Sequence, residues 1–133
     1  MPRARGTSND ATDATDPRHA LGRDAEAAVA RRLTERGFVI LARNARVGLL
    51  ELDLVARRGA LVVFCEVRAR RSDAFMQPWQ SMDARKLQRT RVAAAAWLRA
   101  RGLYGRVDVR FDVASVVVRD GDLELRYFER AFV

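Results

Sequence analysis

The chain has 133 residues, a formal charge of +8, an isoelectric point near 11.2 and an apolar content of about half, which suits one domain with one sizeable core. No window approaches the ~18 uninterrupted apolar residues of a membrane span, and the N-terminus lacks the apolar stretch of a secretion signal. The single cysteine, Cys65, excludes an intramolecular disulfide and a Cys-based zinc site, so the expected location is the reduced cytoplasm, with no membrane partner.

Met1–Asp16 reads as disordered: it is rich in Ala, Thr, Asp, Arg and Ser and has no large apolar residue after Met1. Residues 1–19 hold three arginines and three aspartates, so the whole charge excess falls on 20–133. The expected division is a disordered tail over 1–19 and a folded domain over 20–133. Asp16 and Pro17 mark a helix start, and Leu21, Ala25, Ala28, Val29 and Leu33 form one stripe of a helix that Gly37 ends. The period then changes to two. Strands are expected over Phe38–Asn44, Leu49–Arg57 and Ala60–Ala69, the last apolar enough to be buried on both faces. A loop over Arg70–Pro78 leads to a long helix, roughly Ser81–Arg101, closed by Gly102. Two strands, Val107–Val118 and Leu123–Phe132, follow around the turn Asp120-Gly121-Asp122. The order α-β-β-β-α-β-β, with a hairpin and then a helical crossover, predicts an α/β domain whose mixed central sheet is flanked by helices.

A basic excess confined to the folded part is the footprint of a polyanion binder, here nucleic acid. The chain uses 24 arginines and one lysine. Compositional drift explains that choice of base but not the excess of base over acid.

Chemistry concentrates on the second and third strands. Glu51 and Asp53 are two apart, so regular alternation turns both carboxylates to one face and Leu50, Leu52 and Leu54 to the other. Glu66 and Arg68 share a face of the next strand. A hairpin centred on Gly59 puts Asp53 opposite a position near 65, within a residue of Glu66. Carboxylates gathered on a central sheet need compensation: a shared proton, a nearby arginine or a bound cation. Acid oxygens with a main-chain carbonyl suit Mg2+ or Mn2+. An internal salt-bridge network of Glu51, Asp53 and Glu66 with Arg68 and Arg46 accounts for the same residues.

The segments Gly22-Arg-Asp-Ala-Glu26, Arg43-Asn44-Ala-Arg46, Glu51-Leu-Asp53-Leu-Val-Ala and Val63-Phe-Cys-Glu66-Val-Arg68-Ala-Arg70 together resemble the YraN family of bacterial proteins. Asp83-Ala-Arg-Lys86-Leu, Arg110-Phe-Asp112-Val and Ala131-Phe132 extend the resemblance over about Ala20–Val133. That family looks like a branch of the restriction-endonuclease-like superfamily. The resemblance implies a nuclease-like domain and metal-dependent hydrolysis of phosphodiester bonds in DNA or branched nucleic acid. It implies Asp53 and Glu66 as ligands of Mg2+ or Mn2+ with the carbonyl of Val67 as a third, and Glu51 and Glu26 in support. Three positions depart from the family pattern. Arg68 stands where it has lysine, Leu50 where it has glycine, and Met76 where a glycine follows the aromatic. Arginine keeps the charge for a phosphate contact but cannot give up a proton near neutrality, which points to weak activity. The alternative is a catalytically silent nucleic-acid-binding module with the same fold.

Arg46, Arg70, Arg71 and Lys86 are the expected nucleic-acid contacts. Trp79 is a candidate base-stacking residue, whereas Trp97, among alanines, reads as core. Asp112 is expected to pair with Arg110 or cap a buried network, and Cys65 to be a small core residue.

Overall fold

The structure, a computed structural model, describes residues 17–71 and 84–131. Helix α1 spans Pro17–Glu35, taking in the last three residues assigned above to the tail. Three strands follow: β1 (Val39–Val47), β2 (Leu50–Arg58) and β3 (Leu61–Arg70). Helix α2 (Ala84–Ala100) then leads to β4 (Asp108–Arg119) and β5 (Asp122–Phe128). The expected loop after Arg71, the start of the long helix at Ser81–Asp83 and Trp79 lie outside the described residues, whereas the last strand, expected to reach Phe132, ends at Phe128, where the chain turns through Glu129 and Arg130.

The five strands form one sheet in sequential order, antiparallel except for the parallel β3–β4 pair that α2 bridges. This is the helix-flanked mixed sheet expected from the element order and from the restriction-endonuclease-like resemblance. β1 is longer than its sequence signal, because pairing with β2 runs past Asn44 to Val47↔Leu50. Both helices end in paired bonds around a left-handed glycine. Phe38 N–H donates to Leu33 O and Gly37 N–H to Thr34 O, with Gly37 at φ +89°; Leu103, Gly102, Leu98 and Arg99 repeat the arrangement.

The sheet buries one layer on each side. α1 covers Leu54, Ala56, Val63, Cys65, Ala114 and Val116 with Ala25, Val29, Ala30 and Leu33. α2 covers Leu52, Val55, Val62 and Phe64 with Ala93, Ala94, Trp97 and Leu98. Along β3 the side chains alternate between the two layers, as a central strand requires. Trp97 is core, edge-on to Phe64 at 5.9 Å. Among the described residues no helix is long and apolar enough to cross a membrane.

Candidate active site

The β2–β3 ladder runs from Arg58↔Leu61 to Leu54↔Cys65 and stops there. The next residues in line are Asp53 and Glu66, so they stand where the two strands part. In place of a ladder bond, the amide of Val67 donates to Asp53 Oδ2 at 2.9 Å. β3 keeps its parallel pairing with β4 past this point, through Val67↔Ala114 to Arg70↔Val117. The parting is therefore local to β2.

The leucines expected to share one face of β2 divide between the two layers. Leu52 packs in the α2 layer and Leu54 in the α1 layer, although they are two apart. Regular alternation therefore fails between them, and the three leucines do not share a face. The slip falls at Asp53 on β2 and, across the pairs Arg43↔Leu54 and Ala45↔Leu52, at Asn44 on β1. Asn44 takes a left-handed φ of +51°, which asparagine tolerates better than most residues. Its Nδ2 donates to Glu26 Oε1 at 3.1 Å, tying the kink to α1.

Asp53 and Glu66 line a cleft of about 280 Å³ with Glu51, Val67, Arg68, Lys86 and Thr90. Glu51 is exposed at its rim, whereas Asp53 and Glu66 are half-buried. Glu66 Oε2 receives two cations: Arg68 Nη2 at 2.5 Å and Lys86 Nζ at 2.8 Å. Arg68 and Glu66 thus share a face of β3, as expected. Among the described residues Asp53 has no such ion pair within 4 Å. Burial pushes its carboxyl up to about 7, with repulsion from Glu66 and then Glu26 adding to the effect; the Val67 N–H and Arg68 oppose it. Among the described residues no three His, Cys, Asp or Glu side chains are grouped to hold a metal ion. An ion here would rest on two carboxylates, with main-chain oxygen and water completing its shell.

The other expected contacts separate. Arg46 is exposed opposite Glu51, and Arg70 and Arg71 are exposed at the end of β3; none of the three lines the cleft. Lys86, expected as a nucleic-acid contact on a helix face, lies inside the cleft. Its approach depends on how α2 seats on the sheet, which no local pattern reveals. Asn44 was missed, although an asparagine within a strand signals a left-handed residue. Asp112 is fully buried, accepts Arg110 Nε and Nη2, Tyr127 Oη and the Arg130 amide, and so closes a structural network. Burial holds the Cys65 thiol well above its ordinary range, leaving it a neutral core residue.

Sheet and cleft together define an α/β domain whose central strands open onto paired carboxylates backed by two cations. The model of the family described as "Uncharacterised protein family UPF0102" matches residues 25–116. The chain belongs to that family, which is the YraN family. A UPF0102 protein of Anaeromyxobacter dehalogenans is 43% identical over 117 residues, covering 88% of this chain and 87% of that one. Another, from Moorella thermoacetica, is 47% identical over 102 residues, covering 77% and 84%. Among solved structures, a Holliday junction resolvase, Hjc of Archaeoglobus fulgidus, aligns with a TM-score of 0.42 at 18% identity, covering 78% of this chain and 72% of that one.

Proposed function

We propose that this protein is a metal-dependent nuclease that hydrolyses phosphodiester bonds in DNA or branched nucleic acid. The observation that carries this reading is the position of Asp53 and Glu66 where β2 leaves β3, in one cleft, with Arg68 and Lys86 beside them. The donor chemistry fits Mg2+ or Mn2+. Asp53 is a carboxylate short of positive charge, facing Glu66 and Glu26, and a hard cation would relieve that repulsion. Asp53, Glu66 and the carbonyl oxygen of Val67 would hold the ion, and Glu51 and Glu26 would shape the surrounding field. When bound, such an ion lowers the pKa of water and offsets charge on a phosphate. In the reaction, the oxygen of a water molecule bonds to phosphorus and the bond from phosphorus to the leaving sugar oxygen breaks. The leaving oxygen keeps the electron pair and takes up a proton, and the attacking water loses one. Arg68 is suited to orient the phosphate, because guanidinium donates in a plane and stays charged.

A second reading is favoured by one feature. Glu66 already has two cationic partners, which suits a silent nucleic-acid-binding module. Cleavage assays on labelled duplex, single-stranded and branched DNA and on RNA, with Mg2+ or Mn2+, separate the two. Cleavage that requires metal and is lost in Asp53→Ala supports the nuclease. Binding without cleavage on every form, with no Mn2+ uptake by calorimetry, supports the silent module.

A further inference from the structure

Arg68 and Lys86 converge on one carboxylate oxygen, Glu66 Oε2, from different elements. Arg68 lies two residues along the same strand. Lys86 comes from α2, 20 residues away in sequence. A single carboxylate needs one counterion, so the second cation has another use or none. The two side chains differ in the relevant way. A guanidinium is a planar fork that settles on a carboxylate, whereas an ammonium is a compact charge on a flexible stem whose three donors reorient freely.

Placement sharpens the contrast. Lys86 lies near the start of the described part of α2, its side chain is 29% exposed, and both it and Thr90, a turn further on, line the cleft. Thr90 Oγ1 donates to the Lys86 carbonyl at 2.9 Å, so the main chain below the stem is pinned while the stem reaches over the opening. The chain uses arginine at 24 of its 25 basic positions, and its one ammonium stands at the cleft carboxylate.

We propose that Lys86 is a substrate-contacting residue of this site: its ammonium rests on Glu66 in the free protein and moves to a phosphate oxygen of bound nucleic acid when Glu66 is engaged by a divalent cation. The inference rests on the nuclease reading above. It divides the labour of the two cations: Arg68, paired with Glu66 along the same strand, presents its planar fork to the phosphate, and Lys86 supplies the mobile compact charge that the arginine cannot. Lys86 therefore competes with the cation for Glu66 before substrate arrives and assists substrate afterwards.

This predicts effects of opposite sign from one substitution. Lys86→Met should tighten Mn2+ binding, measured by calorimetry, about two- to fivefold by removing a competitor for Glu66. It should weaken binding of a labelled DNA duplex in Mg2+ about fivefold or more by removing a phosphate contact. Lys86→Arg should recover part of the DNA affinity. Reductive methylation with 13C-formaldehyde adds a direct reporter, because Lys86 is the sole lysine and the terminal amine resonates elsewhere. The Lys86 methyl signal should shift on adding duplex in Mg2+, and should shift without metal or duplex in Glu66→Gln. A fall of both affinities together in Lys86→Met, with wild-type melting behaviour, would leave Lys86 only a support for Glu66 and overturn the proposal. A methyl signal unmoved by duplex, while anisotropy shows that duplex is bound, also overturns it and leaves the nuclease reading standing. If the wild type binds neither Mn2+ nor any nucleic acid, both fall.

Discussion

The amide of Val67 donates to Asp53 Oδ2 at 2.9 Å, and this bond marks the point where β2 leaves β3. It joins structure and site in one contact: a side chain takes over a main-chain acceptor's position and is thereby held at the mouth of the cleft. The same contact limits what an unmetallated Asp53 tolerates. One N–H and the charge of Arg68 do not offset burial and two neighbouring carboxylates, so the Asp53 carboxyl is pushed up to about 7 from an ordinary 3.8.

Asp53 binds its proton more tightly in the folded state than in the unfolded chain. Its contribution to stability is therefore fully present below about pH 4, the unfolded value, and is lost as pH rises through about 7. Asp53→Asn keeps an acceptor for Val67 N–H and removes the ionisation. Without metal, it should be more stable than wild type by about 1–3 kcal/mol at pH 8, with the gain vanishing near pH 4. Urea denaturation at both pH values, in chelator, measures this. Equal stability at pH 8 would show that Asp53 ionises there without cost.

The Asp112 network is expected to behave in the opposite way. Asp112 is fully buried and Arg110 is 10% exposed, and their pairing is supplemented by Tyr127 and the Arg130 amide. Asp112→Ala leaves a nearly buried guanidinium with, among the described residues, only the exposed Glu129 at 3.5 Å as a carboxylate partner and should cost about 2–4 kcal/mol. Tyr127→Phe removes one donor from an acceptor that keeps three others, and should cost about 1 kcal/mol. Thermal melts would rank the two. The reverse ranking would mean that Tyr127, not the ion pair, holds this corner.

Much of this was legible in the sequence because it is local. Gly37 and Gly102 stop the helices, Gly59 sets the hairpin register that brings Asp53 to Glu66, and the apolar run Leu61–Cys65 identifies a strand covered on both faces. Two features of the site were not legible. The shared face expected for Leu50, Leu52 and Leu54 fails because alternation assumes a regular strand, and the slip at Asp53 and Asn44 breaks it. The position of Lys86 depends on the seating of α2, where Trp97 and Leu98 anchor the helix against the sheet more than two turns away.

Binding to nucleic acid should be driven by charge. The basic excess lies within residues 20–133, so affinity for a duplex should fall with salt at a log–log slope of roughly −3 or steeper. Residues 1–16 hold two arginines and three aspartates, so removing them takes away no net positive charge. Their deletion should leave slope, affinity and melting temperature unchanged, as anisotropy titrations and melts on both forms would test. A flat slope argues against a polyanion partner, and a lost affinity on deletion gives the tail a binding role.

Arg68 stands where the resemblance to the YraN family leads one to expect lysine. Arg68 pairs with the carboxylate proposed to hold the metal and is 32% exposed. A guanidinium stays charged and forms forked bonds, so it competes for Glu66 more persistently than an ammonium does. The wild type should therefore cut weakly, and Arg68→Lys should cut faster, by about tenfold, a barrier change of ~1.4 kcal/mol. Lysine is smaller and keeps the charge, so stability should move by about 1 kcal/mol or less. Initial rates with Mn2+ for wild type, Arg68→Lys and Arg68→Lys/Glu66→Ala test this. A gain in the single mutant that vanishes in the double mutant ties the effect to the Glu66 site. If the single mutant folds, takes up Mn2+ and cuts nothing, the silent module is the better account. If wild type already cuts as fast as the mutant, arginine serves as well as lysine here, and competition for Glu66 does not limit the rate.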